Sequence, residues 1–230
     1  MRLLAFILLF LPFPALAAQC PRPDPPEVEV ILAQDDVEQD SDLSIAQLKE
    51  MMSEDDGSTK AMHGGREHFP LGVTATRAGY TYGVEVLVQT HPDGTHCASL
   101  SKLTLEFRFA DVHIHLAREL PSRSCIQREV LAHENRHVAV DRNLVQSWKN
   151  RISDAAKQAA RSVGTITVRN VNTAPATLAE QLKPELDTAI NRLLEDRARL
   201  QALVDSPAEY SRISRVCNGA AQGIVRKALR

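Results

Sequence analysis

The residues of this chain best suited to chemistry form one short run, His133-Glu134-Asn135-Arg136-His137. On a helix, residues i and i+4 lie on one face, so His133 and His137 can direct their imidazoles at one cation. Two neutral imidazoles are good zinc ligands, and they leave room for a third ligand and a water. Glu134 is suited to accept a proton from water activated on that zinc. The run predicts a zinc site with hydrolytic chemistry.

The helix that carries this run is predicted from Ile126 to about Ser153, a stretch without Gly or Pro. Its apolar residues recur with a period of 3.6, and one stripe holds both histidines together with Val130, Val140, Leu144 and Trp148. The histidines therefore face the core. The alternative interpretation is a pair of buried histidines that are satisfied by neighbouring carboxylates.

Asp141 lies one helical turn beyond His137. It is about 12 Å along the axis from His133, too far to complete a three-ligand set on a straight helix. We predict that Asp141 accepts the second ring N–H of His137 and fixes its tautomer. A surface ion pair with Arg142 or Arg136 is the alternative.

The elements that must position this helix are strands before it and a second helix after it. Period-two patterns predict strands, and their short linkers favour an antiparallel sheet with one covered side. The strands are predicted at residues 71–76, 80–90, 100–110 and 112–116, with a short one at 165–168. A second long helix is predicted from Glu180 to Val204, with Pro184 in its first turn. The fold class is thus α+β, with a sheet packed on two long helices.

The N-terminus predicts export. Arg2, an apolar run of about 11 residues and a small-residue cleavage pattern indicate a signal peptide over residues 1–17, too short to span a membrane. Residues 18–61 form a Pro-rich and acidic segment, and residues 62–230 the main domain. The acidic clusters fit a solvated surface better than a calcium site or an inhibitory pro-segment. A net charge of -2 and 4% aromatic residues argue against nucleic acid and anionic membranes as partners.

Four cysteines in an exported chain predict two disulfides, and three connectivities are possible. Cys97 and Cys125 flank the strands that lead into the metal helix, whereas Cys20 and Cys217 lie near the ends of the mature chain. Pairing within each of these two sets is the preferred hypothesis. No Cys-x-x-Cys pair is present to form a thiolate zinc site.

The run Leu131-Ala132-His133-Glu134-x-x-His137-x-x-x-Asp141 resembles a family of bacterial secreted proteins described as predicted secreted zinc-dependent proteases. The similarity covers about residues 71–223, and outside the metal helix its features are loose: residues 72–74, the Cys97 region, the second helix and a segment around Tyr210. The resemblance implies a zincin-like architecture, with His133 and His137 as ligands and Glu134 as the catalytic acid/base.

The chain departs from this family in its closing segment, where the family has a Tyr followed by a His-Gly pair. Here Tyr210 is followed by Cys217-Asn218-Gly219, and no histidine follows His137. The third ligand is therefore open. Candidates are carboxylates on or after the second helix and two histidines on a strand: Glu185, Asp187, Glu195, Glu209, His113 and His115.

The sequence thus predicts a secreted or periplasmic zinc-dependent peptidase that acts on peptides or proteins of the cell envelope. Glu134 is the predicted base, Tyr210 is a candidate to stabilise the oxyanion, and Zn²⁺ is the predicted cofactor. A sheet edge is expected to bind the extended peptide. Two alternatives remain: a non-catalytic envelope protein that keeps a degenerate zincin site, and a hydrolase of another amide such as a cell-wall peptide cross-link.

Overall fold

The computed structural model describes residue 20 and residues 23–55 and 69–230. The strands are β1 (Glu27–Gln34), β2 (Glu38–Asp40), β3 (Gly72–Thr90), β4 (His96–Leu116) and β5 (Ile166–Val168). The α-helices are α1 (Ile45–Asp55), α2 (Cys125–Ser162), α3 (Ala174–Val204) and α4 (Pro207–Ala228), with a 3₁₀ turn before α3. The predicted signal peptide, residues 1–17, lies outside the described residues. No helix within the described residues is long and apolar enough to cross a membrane.

The sheet is built around β4, which confirms the α+β class but not an antiparallel sheet. Strands β3 and β5 pair with β4 antiparallel, whereas β1 and β2 pair with it parallel. The prediction of an antiparallel sheet was wrong because it assigned no strand to residues 18–61. That segment contributes β1 and β2, and the apolar side chains of β1 pack against the core: Val28, Val30 and Leu32.

The buried side chains of β4 switch from odd-numbered to even-numbered residues about two thirds of the way along the strand. Leu103, Leu105, Phe107 and Phe109 are buried, and then Val112, Ile114 and Leu116 are buried. The change coincides with a bulge, since the pairing with β3 shifts between Ala75 and Arg77 and Asp111 has a φ of 52°. The bulge keeps both apolar sets on the covered side of one continuous strand, where the sequence predicted two strands, at 100–110 and 112–116.

Helix α2 runs across both parts of this core. It begins at Ser124, whose side chain accepts a hydrogen bond from the backbone N–H of Gln127. Its N-terminal half packs with α1 and the second half of β4, and its C-terminal half packs with α3 and the first half of β4.

Helix α3 begins six residues earlier than predicted, because the 3₁₀ turn leads directly into it. Pro184 therefore lies inside the helix and not in its first turn, which is a correction. Leu178, Leu182 and Leu186 are fully buried at four-residue spacing on either side of it. This burial holds the helix together across the proline.

Both disulfides are present, but the preferred pairing was wrong. Cys20 is bonded to Cys97, and Cys125 to Cys217. Cys97 lies at the start of β4 and Cys125 follows its end, so at about 3.3 Å per residue roughly 60 Å of strand separates them. A disulfide requires Cα atoms within about 7 Å, and a long single strand excludes that.

Candidate metal centre

The HExxH run lies on α2, as predicted, with its first histidine and its glutamate buried. His133 is 8% exposed and Glu134 4% exposed. The Nε2 atoms of His133 and His137 lie 3.3 Å apart, because residues four apart on a helix lie on one face. The two rings are nearly perpendicular and approach each other at these Nε2 atoms.

Asp205 supplies the third donor of this group, and sequence reasoning missed it. Its Oδ1 atom lies 3.2 Å from Nε2 of His133 and 3.3 Å from Nε2 of His137. The three atoms form an almost equilateral triangle. Ligands bound to one tetrahedral zinc at about 2.0–2.1 Å are separated from each other by about 3.3–3.4 Å, so this donor set fits a zinc ion.

The antiparallel packing of α2 and α3 brings Asp205 to the histidines. Along this helix pair Asp141 faces Arg197, His137 faces Gln201, and His133 faces Asp205. Successive pairs are four residues apart on each helix, so the contacts repeat about once per helical turn. The signal in the sequence was Asp205-Ser206-Pro207, a helix-to-helix turn, and turns often carry functional residues.

Asp141 holds His137 through an intermediate residue and not by the direct bond that was predicted. The Asp141 carboxylate, 1% exposed, accepts two hydrogen bonds from Arg197 and one from Nε2 of Gln201. Gln201 Oε1 then accepts from Nδ1 of His137 at 2.6 Å. This places the ring proton on Nδ1 and leaves the Nε2 lone pair free for a metal. The alternative pairing of Asp141 with Arg142 or Arg136 is not formed.

Glu209 lies behind His133 and not at the centre of the donor triangle. Its Oε1 is 3.5 Å from Nδ1 of His133, and it also forms ion pairs with Arg136 and Arg212. Arg212 and Arg136 lower the pKa of Glu209 to about 2, so this carboxylate stays charged. The Arg136 guanidinium, paired with Glu209, lies 3.0 Å from the same Nδ1, so the outer nitrogen of His133 faces both a donor and a carboxylate.

The remaining third-ligand candidates lie elsewhere. Asp187 pairs with Lys183 and Tyr80, Glu185 contacts Ser162, and Glu195 is exposed. His113 and His115 lie on β4 and contact Asp40.

Glu134 is held between the metal face of α2 and the beginning of β3. The Thr74 hydroxyl lies 2.8 Å from Oε2 of Glu134 and donates to it. Gly72 permits this close approach, because an added Cβ would lie 2.7 Å from Glu134 Oε1 and 2.8 Å from Cγ1 of Val130. Burial raises the pKa of Glu134 above its usual range, although the nearby His137 and His133 act in the opposite direction.

Asp205 and His137 each shift the pKa of the other. Burial opposes the charged form of Asp205, but hydrogen bonds from His133, His137 and Tyr210 lower the pKa of its carboxyl far below the usual value. Burial also opposes charge on His137, yet the Asp205 carboxylate raises the pKa of that ring. A metal ion displaces such a proton and takes over the interaction with the carboxylate.

Tyr210 reaches the site from α4. Its hydroxyl donates a 3.0 Å hydrogen bond to Oδ1 of Asp205, the atom of the donor triangle. Burial and the charge of Asp205 raise the pKa of Tyr210, so the phenol keeps its proton and acts as a donor.

An open cleft of about 980 Å³ lies over the donor triangle. One wall is the beginning of β3, residues 71–76, and the other walls come from α1 and α4. Among the described strands β3 pairs only with β4, so its outer edge carries no strand. Much of the cleft lining is apolar, including Met51, Met52, Phe69, Ile213 and Val225.

Comparisons of the chain with models of known protein families, with curated proteins and with solved structures found no match. The resemblance to secreted zinc-dependent proteases therefore remains a prediction that rests on the residues of the metal helix.

Proposed function

We propose that this protein is a zinc-dependent peptidase of the cell envelope. The observation that carries the proposal is the donor triangle of His133, His137 and Asp205, with edges of 3.2–3.3 Å, beside the buried carboxylate of Glu134. Structural zinc sites are closed by four protein ligands, whereas catalytic sites use three and keep one position open. Three donors meet here among the described residues, beneath an open cleft.

The zinc, when bound by these three residues, supplies a Lewis acid that acidifies water and polarises a carbonyl. Glu134 accepts the proton of the attacking water and passes it to the leaving amine. A buried carboxylate beside the donor triangle can hold and pass on a proton, because burial favours its protonated form. Thr74 orients the carboxylate, and Tyr210 is the candidate donor to the oxyanion.

A peptide is the substrate that suits the cleft. The unpaired edge of β3 lines it, and an extended chain can add to such an edge through backbone hydrogen bonds. The apolar lining favours substrates with apolar side chains. Two disulfides support an oxidising compartment, which agrees with secretion or a periplasmic location.

The test measures zinc content and hydrolysis on the same preparations of mature protein. Wild type is expected to contain zinc and to cleave an unfolded protein or a cell-wall peptide cross-link. Glu134→Gln should retain zinc but lose activity by about 10²–10⁴-fold, the range for removal of a general base. His133→Ala should lose the activity together with the zinc of this site. Glu195→Gln, which changes an exposed carboxylate on α3, is the matched control and should change neither.

Two results oppose the proposal in different ways. Zinc that remains bound without hydrolysis of any substrate in the panel indicates a non-catalytic metal-binding protein. Wild type without zinc, after purification with zinc present, removes the basis of the proposal altogether.

A further inference from the structure

A second group of side chains that could bind a metal ion, Asp40, His113 and His115, lies on the face of the sheet opposite α2. His113 and His115 are two residues apart on β4, and Asp40 is the last residue of β2. Oδ2 of Asp40 lies 2.7 Å from Nε2 of His113 and 3.2 Å from Nδ1 of His115. All three side chains are partly exposed, so an ion could reach them from solvent.

This group is separate from the site on α2. Successive residues of a strand point to opposite faces, so His113 and His115 face away from the buried Ile114 between them. Thr74 pairs with Ile114 across the sheet and contacts Glu134 on the helix side. The two groups therefore lie on opposite faces of the same two strands.

We propose that Asp40, His113 and His115 form a second metal site, for Zn²⁺ or a related divalent transition-metal ion. Two imidazoles and a carboxylate are the ligand types that such ions prefer. Oδ2 of Asp40 and Nδ1 of His115, 3.2 Å apart, match the separation of about 3.3–3.4 Å between neighbouring ligands of a tetrahedral zinc. The 2.7 Å between Oδ2 and Nε2 of His113 is a hydrogen-bond distance, which has to widen when an ion binds. His113 coordinates through Nε2, and its Nδ1 faces Oε2 of Glu38 at 3.6 Å.

The two rings are stacked, so binding of one ion by both requires one ring to turn until both ring planes contain the ion. Their centroids lie 4.0 Å apart and the rings are nearly parallel.

The site would fix a wall of the cleft from behind the sheet. Strand β2 has three residues and is held by three pairings with β4, including Asp40 with His115. Five residues after Asp40, α1 begins with the buried Ile45, and the same helix places Met51 in the cleft. An ion that joins β2 to β4 therefore stabilises the start of the segment that carries this wall. This inference does not depend on the proposed peptidase activity.

The experiment uses the His133→Ala/His137→Ala variant, which lacks the first site, and titrates it with Zn²⁺ in equilibrium dialysis. About one zinc per chain is expected to bind, and zinc should raise its Tm. Adding His115→Gln, or separately Asp40→Asn, should abolish both effects. His96→Gln, another partly buried histidine of β4, is the matched control and should leave them unchanged.

Far-UV circular dichroism without zinc establishes that every variant is folded. Absence of zinc binding to folded His133→Ala/His137→Ala overturns the second site. If zinc binds equally well with and without His115→Gln, the assignment of ligands to the second site is overturned. A different result would separate the two proposals: wild type binds one zinc, His115→Gln loses it, and His133→Ala keeps it. That result contradicts the proposed function and supports the second site.

Discussion

At the scale of single residues, the candidate centre depends on how each donor is held. His137 is oriented by Gln201, and Gln201 is oriented by the buried Asp141. Asp205 is held by Tyr210 and by the two histidines. A donor fixed in this way does not have to be reorganised when an ion binds, which favours binding.

Replacement of Asp205 by Asn should weaken zinc binding by more than about 100-fold, the upper range for loss of an outer-shell partner. The physical reason is the loss of the only negatively charged donor in the triangle. Competition with a chromogenic chelator measures this affinity. Asp196→Asn changes a carboxylate of α3 that pairs with Arg151 and Arg199 away from the donor triangle, and it should have no effect. Unchanged affinity in Asp205→Asn would mean that another carboxylate, such as Glu209, is the third ligand.

Gly72→Ala tests the close contact between β3 and Glu134. The new Cβ has no room beside Oε1 of Glu134 and Cγ1 of Val130, so overpacking should cost about 1–3 kcal/mol in the free energy of unfolding. Activity should fall as the base is displaced. Gly83→Ala on the same strand meets no atom within 4 Å and should be neutral or slightly stabilising. Urea unfolding of both variants measures the difference, and equal stabilities would contradict the contact.

At the scale of elements, the antiparallel packing of α2 and α3 brings the third ligand to the histidines. The pairing of Asp141 with Arg197 lies one turn from that of His137 with Gln201, inside the interface of these helices. The Arg197 guanidinium also lies over the ring of Phe109, which joins this interface to the sheet. The interface sets the register of the two helices and so determines where Asp205 lies.

Arg197→Met should destabilise the protein by about 3–5 kcal/mol, because the buried carboxylate of Asp141 then loses its charged partner. Zinc affinity should also fall, since Gln201 loses a fixed neighbour. The matched control is Arg199→Met, which removes an exposed pair with Asp196 and should cost less than about 1 kcal/mol. Chemical denaturation of metal-free protein measures both changes. If both variants lose a similar free energy of unfolding, the buried pair does not hold the two helices together.

At the scale of the whole molecule, the two disulfides join distant parts of the chain. Cys20–Cys97 fixes the N-terminal segment to the start of β4, and Cys125–Cys217 fixes α4 to the start of α2. Cys217, Asn218 and Gly219 all have positive φ, so α4 is kinked there, and the part after the kink lines the cleft. Asn and Gly tolerate positive φ, whereas it is unfavourable for Cys217, whose disulfide helps to hold this conformation.

Cys125→Ser/Cys217→Ser should lower the free energy of unfolding by about 2–4 kcal/mol and should weaken substrate binding, because the second half of α4 is released. Cys20→Ser/Cys97→Ser should lower stability by a similar amount with less effect on the cleft. Thermal unfolding and KM measure the two effects. A peptide map under non-reducing conditions that found Cys97 joined to Cys125 would contradict this connectivity.

The sequence alone determined those features that depend on local spacing. The i, i+4 pair of histidines follows from the helical period, so His133, Glu134 and His137 were predicted together. The alternating residues of β4 predicted its buried side, and the uninterrupted pattern after Ile126 predicted α2. Local periodicity has a direct structural meaning, which is why the placement of these residues on a helix and the buried side of β4 could be predicted.

Only the tertiary structure decided which distant residues meet. Asp205 lies 68 residues after His137 in the chain, and its place depends on the length and register of two helices and the turn between them. The disulfide pairing depended on the length of β4, and the parallel strands depended on a segment whose Pro and acidic residues concealed β1. Contacts of this kind follow from the packing of whole elements, and no local pattern encodes them.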